Sequence, residues 1–357
     1  MTLTDPDYII SCFSGFGVTL FLIFGLANFA KHAGLIDQSQ GINVTGGVPL
    51  IGGITIFLAL LVGALIWGTS GQAAINIKGG NALWALLGCC GLVVCVGALD
   101  DRHNLGVATR LVAEILIALT IIHIIDLRLI WLGDLLGSGP IKMHPAVSYV
   151  FTTVAIFGLL NAFNMLDGVD GLLASMTIFT TVFFHLAAGI DFSLEGIYIL
   201  SCLTAFLISN IGAAPFLPKT FLGDSGSKLI GFIAVCFLLT AASGRVGAEK
   251  LIDPSTALFL VALPLFDMVW VTLRRLINRS SPFRGDQSHI HHILLALNLS
   301  HLSIVLVLVS VNLVLAGIGL ALRAFQVAEY HQLQIFLLLF LSYCVGSNML
   351  RQRASAT

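Results

Sequence analysis

Aspartates stand out in this sequence because they lie at the ends of otherwise apolar runs. Asp100 and Asp101 end one run, Asp167 and Asp170 follow another, and Asp224 precedes a third. Crowded carboxylates repel one another unless a cation lies among them, and Mg²⁺ is usually bound by one or two carboxylates together with substrate phosphates. These residue types therefore suit phosphoryl transfer, in which a positioned metal ion and nearby charges stabilise a transferring phosphorus.

Basic residues accompany the aspartates. His289, His291 and His292 lie within four consecutive positions, and Arg102 and Arg275 lie at the ends of apolar runs. Arginine and protonated histidine could neutralise the oxygens of a bound phosphate. The three histidines could instead bind zinc, although no cysteine or further ligand spacing in the sequence supports such a site.

Several of the acidic residues also have a simpler explanation. A carboxylate at a helix end is often only solvated, and Asp224 could be an ordinary N-cap. Glu114 and Asp267 lie inside apolar runs, where an ionisable residue is a functional candidate by default. Either could instead form a structural pair, Glu114 with Arg110 and Asp267 with Arg275.

The elements that must position these residues are membrane helices. Only 10% of the 357 residues are charged, and the mean hydropathy is +1.00, whereas a soluble domain carries about 25% charged residues. Apolar runs of spanning length occur about eleven times. They predict an all-α polytopic membrane protein with a single catalytic domain over 1–357. The runs cover 8–30, 48–68, 82–99, 109–126, 147–163, 171–189, 194–213, 226–242, 256–273, 301–322 and 332–349.

Charge distribution predicts the orientation. Counting crossings places most of the 17 Lys and Arg residues on the side of the carboxyl terminus, which the positive-inside rule makes cytoplasmic. The amino terminus is then periplasmic. The aspartates and histidines fall on the cytoplasmic side, which predicts that they converge in an active site at that face. The net charge of −1 argues against a nucleic-acid partner. The predicted cytoplasmic loops are 31–47, 100–108, 161–170, 214–225 and 274–300.

Taken together, the motifs resemble those of the polyprenyl-phosphate N-acetylhexosamine-1-phosphate transferases, over nearly the whole chain. Asp100-Asp101 looks like the family's Asp-Asp pair. Asn161 to Gly171 has the full pattern Asn-x-x-Asn-x-x-Asp-Gly-x-Asp-Gly, and Phe221 to Ser227 has Phe-x-Gly-Asp-x-Gly-Ser. Further matches are Pro264 to Asp267, Arg274-Arg275-Leu276 and Ser281-Pro282-Phe283.

The form of the histidine motif points to one branch of that family. The phospho-MurNAc-pentapeptide translocases have three successive histidines, whereas His-Ile-His-His is similar to the branch that transfers GlcNAc-1-phosphate. The resemblance implies transfer from UDP-GlcNAc to undecaprenyl phosphate, giving undecaprenyl-diphospho-GlcNAc and UMP, in a bacterial inner membrane. The reaction would initiate O-antigen or a related surface glycan. Membrane lipids are implied partners, a homodimer is compatible with the pattern, and the implied cofactor is Mg²⁺, with Mn²⁺ as a substitute.

The resemblance also implies a role for each matching residue. Asp224 would be the principal Mg²⁺ ligand, with Asp101 as a further ligand or its support. Asp100 would prepare the lipid phosphate for attack. The other implied catalytic residues are Asp167, His289, His291 and His292. The implied substrate-binding residues are Asn164, Asp170, Asn210, Phe221, Arg275 and Arg102, of which Phe221, Asp170 and Asn210 would contact the uridine.

Two departures from the family pattern keep alternatives open. The family's first cytoplasmic loop usually has a basic run, but residues 38–48 contain no basic residue, and Asn104 stands where a further aspartate is common. A different UDP-N-acetylhexosamine donor is therefore an alternative. An ion-coupled transporter is an alternative from another class, although the sequence has no internal repeat and its acids lie near one surface. A non-catalytic scaffold would not explain the acids and histidines.

Overall fold

A computed structural model describes residues 6–37, 47–67, 81–243, 250–282 and 287–355. Within these ranges the chain is almost entirely helical, so the all-α prediction is confirmed. The helices are α1 (Pro6–Ala33), α2 (Gly52–Trp67), α3 (Asn81–His103), α4 (Val107–Ile125), α5 (Pro145–Leu166), α6 (Leu172–Ala188), α7 (Leu194–Asn210), α8 (Gly223–Ala242), α9 (Pro254–Leu260), α10 (Ala262–Ile277), α11 (Ile290–Ala296), α12 (His301–Ala324) and α13 (Glu329–Ala354).

Seven helices in the described ranges are long and apolar enough to cross a membrane, or eight if α9 and α10 together form one bent span. Three more apolar helices, α2, α6 and α7, are shorter. The prediction of a polytopic membrane protein is confirmed. The count of eleven crossings stays a prediction, because it requires the bent pair and each shorter helix to cross.

The apolar run 256–273 forms two helices instead of one. The axes of α9 and α10 differ by 83°. Pro264 has no backbone N–H, and in a continuous helix its ring would clash with the carbonyl group of Leu260. Thr180 Oγ1 donates a hydrogen bond to that carbonyl oxygen at 3.3 Å, which satisfies an acceptor that the break leaves without a helical partner. The break therefore follows from Pro264.

All five predicted loops are partly helical, as loops 100–108 and 161–170 illustrate. α3 continues through Asp100 and Asp101 to His103, and α5 continues to Leu166, which includes the first part of the predicted loop 161–170. Polar residues occur in the last turn of a helix as well as in a loop. Composition alone therefore does not show where such a helix ends.

A short two-stranded ribbon accompanies the helices. β1 (Ile36–Asp37) pairs antiparallel with β2 (Val48–Pro49). Phe221 N donates to Pro49 O at 2.9 Å, and Gly52 N donates to Phe221 O at 2.9 Å. The ribbon thus fixes the backbone of Phe221 just before α8. Residues 38–46, which contain most of the departure from the family's basic loop, lie outside the described residues.

The chain forms two compact units, and the prediction of one catalytic domain over 1–357 stays a prediction. The first unit comprises residues 1–126 and 191–234, and the second comprises 127–190 and 235–357. In the second, the rings of Phe259 and Phe266 pack against Phe336 with centroids 5.3 and 4.9 Å apart. The predicted convergence of all the polar motifs at one membrane face also stays a prediction.

Candidate active site

The first unit contains an acidic cluster built on α3, α4 and α8. Its centre is the ammonium group of Lys228, whose side chain is 2% exposed. Lys228 Nζ lies 3.4 Å from Asp100 Oδ2 and 3.3 Å from Asp224 Oδ2. It also lies 3.2 Å from Glu114 Oε1. We use the name acidic cluster for Asp100, Asp101, Glu114 and Asp224 with the two cations Arg110 and Lys228.

Asp100 is the most enclosed aspartate of the acidic cluster. Its side chain is 4% exposed, and Oδ2 accepts from Arg110 Nη1 at 3.1 Å and from Lys228 Nζ at 3.4 Å. Oδ1 accepts from Leu105 N at 2.9 Å. A carboxylate has roughly four acceptor positions. Three donors therefore orient Asp100 and leave room for one more.

The structural pair of Glu114 with Arg110 that the sequence suggested was wrong. Arg110 lies one turn earlier on α4, but its guanidinium contacts Asp100 and lies 3.8 Å from Asp224 Oδ2. Glu114 meets Lys228 instead. A side chain can pair with a residue of another helix instead of with its neighbour on the same helix. Glu114 and Lys228 are both buried, so each is stabilised by an opposite charge that is also removed from water.

Asp101 caps α8 from a neighbouring helix. Its Oδ1 accepts from Asp224 N at 2.8 Å, and its Oδ2 accepts from Ser225 N at 3.3 Å. The first N–H groups of a helix have no partner within it, and a carboxylate at that end is favoured by the helix dipole. Gly223 makes this approach possible, since its φ is +65° and a Cβ atom there would meet the Asp101 carboxylate.

This geometry decides against the simplest explanation for Asp224. Because Asp101 occupies the end of α8, the side chain of Asp224 is not its own helix's cap. It faces Lys228 and Arg110, and it is 29% exposed where Asp100 is 4% exposed. Asp224 is therefore the carboxylate of this pair that an incoming cation or phosphate can reach more easily.

The acidic cluster fits a hard divalent cation. Four carboxylates against two cationic side chains leave a formal charge of −2. Along the described part of the chain, no group of three or more His, Cys, Asp or Glu side chains is arranged to hold a metal ion. Mg²⁺ does not need one, because it keeps several waters and commonly takes one or two carboxylates plus substrate phosphates.

Residues predicted to bind substrate lie in different surroundings. Phe221 is half-buried, with Lys219 Nζ 5.2 Å from its ring centroid. Asn210 is buried and its Nδ2 donates to Thr220 O at 2.9 Å, so it braces the loop that carries Phe221. Arg102 is exposed in the last turn of α3.

The second unit contains the histidine motif, which is organised by Asp267. Asp267 Oδ2 accepts from His289 Nδ1 at 2.8 Å, and Oδ1 accepts from Ile290 N at 3.0 Å and from Tyr343 Oη at 2.8 Å. A carboxylate on Nδ1 fixes the ring and directs Nε2 outward. The alternative pair of Asp267 with Arg275 was wrong. Arg275 lies two turns further along α10, where its Nη1 donates to Pro282 O at 2.7 Å.

The Asn161–Gly171 motif meets the histidines at Gly168. A Cβ atom at Gly168 would collide with the His291 imidazole, so glycine permits this contact. Asp167 is the C-cap of α5, and α6 begins at Leu172. The segment between them is a turn, so Asp167 and Asp170 do not lie on one face of a helix, as a helical segment with this spacing would place them.

His291 is buried against its histidine neighbours. It is 2% exposed, its ring centroid lies 4.1 Å from that of His292, and its Nδ1 has no hydrogen-bond partner among the described residues. Burial, together with the neighbouring imidazoles of His292 and His289, lowers the pKa of His291 to about 3, although Asp267 opposes the shift. His291 is therefore neutral near pH 7, and its predicted role in the site stays a prediction.

Comparisons with known proteins place this chain in a family. Residues 83–242, which hold the acidic cluster and the Asn161–Gly171 motif, match the model of glycosyl transferase family 4. The chain is 31% identical over 331 residues to an undecaprenyl-phosphate alpha-N-acetylglucosaminyl 1-phosphate transferase of Yersinia pestis, covering 90% of this chain and 87% of that protein. The chain belongs to glycosyl transferase family 4.

Two further relatives with the same name agree. A protein of Escherichia coli O157:H7 is 32% identical over 335 residues, covering 92% of this chain and 88% of the relative. One of Haemophilus influenzae is 30% identical over 338 residues, covering 93% and 90%. The resemblance inferred from the motifs is confirmed, and the chain is a membrane-embedded transferase.

Lys228 of the acidic cluster and Tyr343, which donates to Asp267, were not identified as site residues from the sequence. Lys228 lies inside an apolar run, and Tyr343 lies inside the last one. Lys228 did have a signal, since a charge within a membrane helix is a functional candidate and lies one turn from Asp224. Tyr343 had none, because an amphipathic aromatic residue is ordinary in such a helix.

The buried His291 predicts a pH-dependent stability. Its folded pKa of about 3 lies below the value of about 6.5 expected for an unfolded chain. The unfolded state therefore binds more protons between these values, so the stability contribution is complete above about pH 6.5 and is lost as the pH falls toward 3. At pH 5.5 the loss should be about 1.4 kcal/mol. His291→Asn should flatten this slope in thermal melts of the detergent-solubilised protein. Equal slopes for both proteins would contradict the burial argument.

Proposed function

We propose that this family member transfers GlcNAc-1-phosphate from UDP-GlcNAc to undecaprenyl phosphate, giving undecaprenyl-diphospho-GlcNAc and UMP. The names of relatives aligned over most of the chain support this substrate pair. The observation that carries the proposal is the acidic cluster inside residues 83–242, where Asp224 is partly exposed beside two cations. The product would begin an O-antigen or a related surface glycan.

The proposed chemistry is one displacement at phosphorus. An oxygen of the lipid phosphate bonds to the β-phosphorus of UDP-GlcNAc, and the bond from that phosphorus to the bridging oxygen breaks, so UMP leaves with the oxygen. Asp224, supported by Asp101, would hold Mg²⁺, which Mn²⁺ can replace. The ion would supply positive charge to the phosphate oxygens. Arg110 adds a fixed guanidinium near Asp224.

The remaining predicted residues are assigned as proposals. Asp100 takes the last proton from the minor protonated form of the lipid phosphate, and Asp167, His289 and His292 support the transfer. Neutral His291 acts only as a hydrogen-bonding group. Arg102, Arg275 and Asn164 bind substrate. Phe221 stacks on uracil, while Asp170 and Asn210 fix its polar edge.

Release of UMP by the purified protein tests the reaction. UDP-GlcNAc, undecaprenyl phosphate and Mg²⁺ should together yield UMP and a lipid-linked sugar of matching amount, and omission of any one should abolish both. UMP without lipid-linked sugar, or no UMP at all from folded protein, would contradict the proposal.

A second donor is favoured by one observation. Residues 38–48 lack the basic run that is usual in the family. This chain therefore binds the donor or the lipid phosphate differently from other family members at this loop. The same assay with UDP-GalNAc in place of UDP-GlcNAc tests this alternative. The ratio of the two kcat/KM values shows which donor is preferred. The transporter alternative is not favoured, because family membership and the full-length relatives describe a transferase.

We further propose that the protein lies in the bacterial inner membrane with its amino terminus periplasmic, its carboxyl terminus cytoplasmic and its site facing the cytosol. A homodimer stays a prediction.

In a background with exposed Cys12 and Cys95 replaced by serine, Ser138→Cys between α4 and α5 should react with an impermeant thiol reagent in intact cells. Ser288→Cys should react only after permeabilisation. The reverse pattern would overturn the topology. A cysteine near Gly71, on the same predicted side as Ser138, should also react, but that segment lies outside the described residues.

A further inference from the structure

Lys228 joins three helices through one ammonium group. Its three N–O contacts, of 3.2 to 3.4 Å, go to Glu114 on α4, Asp100 on α3 and Asp224 on α8. A lysine ammonium has three donors, so each carboxylate can take one. Along the chain Asp100 and Lys228 are 128 positions apart, so only the fold brings them together.

The two aspartates lie between an outer and an inner cation. Arg110 and Lys228 both contact Oδ2 of Asp100 and Oδ2 of Asp224, but the Arg110 side chain is 34% exposed and Lys228 is 2% exposed. A solvent-exposed arginine is partly screened and can move, whereas a buried lysine holding three carboxylates has little freedom. Lys228 is therefore the cation that can set the separation of these carboxylates.

Glu114 completes the arrangement from the other side. It makes the shortest of the three contacts with Nζ, and it is itself 3% exposed. Without it, the Lys228 charge would reduce the attraction of Asp224 for an incoming cation. With it, Lys228 and Glu114 balance one another, and the cluster keeps its formal charge of −2.

We propose that Lys228, anchored by Glu114, is a positioning residue that holds Asp100 and Asp224 at the separation needed to bind a divalent cation and to carry out the transfer. The proposal rests on the proposed function in taking these aspartates as site residues. It assigns Lys228 no contact with substrate. It also explains why a lysine is tolerated at the base of an acidic cluster.

A charge-matched double variant separates positioning from charge. Lys228→Met alone leaves two buried carboxylates and the partly exposed Asp224 without their shared cation, so it should melt at a lower temperature than the double variant Glu114→Gln/Lys228→Met. The double variant keeps the formal charge of the cluster at −2, because one negative and one positive group are removed together. If Lys228 positions the aspartates, the double variant should still bind Mn²⁺ about tenfold more weakly than the wild type, as seen when groups that orient metal ligands are removed.

Glu114→Asp provides a second test that preserves every charge. Its carboxylate is one methylene shorter, so Lys228 cannot keep all three contacts, and Mn²⁺ binding should weaken by at least about threefold. The matched control is Lys250→Met. Lys250 also bridges two carboxylates, Asp253 at 2.7 Å and Glu329 at 2.9 Å, but it lies in the second unit, so its loss should leave Mn²⁺ affinity unchanged.

Titration of free Mn²⁺ by electron paramagnetic resonance, with melting temperatures of the same samples, gives the answer without any turnover. Wild-type affinity in the double variant and in Glu114→Asp would overturn the proposal, as would a wild type that binds no Mn²⁺. Weaker Mn²⁺ binding in both variants, with Lys250→Met unchanged, supports it. Failure of the wild type to release UMP would contradict the proposed function but would leave these binding results as they stand.

Discussion

Replacing Asp224 with asparagine is expected to lower the rate of UMP release at limiting Mg²⁺ by at least about 100-fold. The substitution keeps the shape of the side chain and removes the charge that attracts a hard cation. Asp224 is the right target because it is partly exposed and its helix end is capped by Asp101, so its loss does not uncap α8. The measurement is initial rate against Mg²⁺ concentration.

The matched control for Asp224→Asn is Asp253→Asn. Asp253 also pairs with a lysine, at 2.7 Å from Lys250 Nζ, but it belongs to the second unit and is not part of the acidic cluster. Its substitution should leave the Mg²⁺ dependence unchanged. Melting temperatures of both variants show whether Asp224→Asn is folded. A folded Asp224→Asn protein with full activity at limiting Mg²⁺ would defeat the assignment of Asp224 as a metal ligand.

Replacing Asp100 with asparagine should produce a loss that depends on pH. The second pKa of a phosphate monoester is about 6, so at neutral pH the lipid phosphate is mostly a dianion and already nucleophilic. If Asp100 removes the last proton, the loss should be largest near pH 6, on the order of 100-fold, and should shrink as the pH rises. The measurement is kcat/KM for the lipid across that range.

The geometry of Asp100 defines the opposite outcome. Its oxygens already accept from Leu105, Arg110 and Lys228, and the side chain is 4% exposed. If Asp100 only anchors these groups, Asp100→Asn should lose the same factor at every pH and should also melt at a lower temperature. A constant loss would therefore contradict the role of a base.

The same assay separates one displacement from two. With direct attack by the lipid phosphate, UDP-GlcNAc alone should yield no UMP. If an aspartate attacked first and formed a covalent intermediate, UMP would appear without lipid in a burst equal to the amount of enzyme. Such a burst would contradict the single displacement proposed here. In that case Asp100→Asn should be inactive at every pH.

The sequence alone was sufficient for the fold class and the chemistry of the site. Ten of the eleven predicted apolar runs each became one helix within a few residues, because the bilayer demands long apolar segments whose backbone groups are paired internally. The break between α9 and α10 could also have been predicted from the sequence, since Pro264 cannot continue a helix. The motifs identified the family because their residue types and spacing recur together along the chain.

Only the tertiary structure decided which side chains share the site. Periodicity and motif spacing say nothing about contacts between helices distant in sequence, so Lys228 looked like one charge in an apolar run and Glu114 like a partner for Arg110. The fold joined Lys228 to Asp100, Asp224 and Glu114, because a buried ammonium must find its counter-charges wherever packing places them.

The structure likewise assigned different work to the two neighbouring aspartates. In the sequence Asp100 and Asp101 form one acidic pair, whereas in the fold Asp100 joins the cations and Asp101 caps α8. Successive residues of a helix point about 100° apart, so they meet different neighbours. Which neighbours those are depends on how α3 packs against α4 and α8, and that packing is set by side chains from three separate parts of the chain.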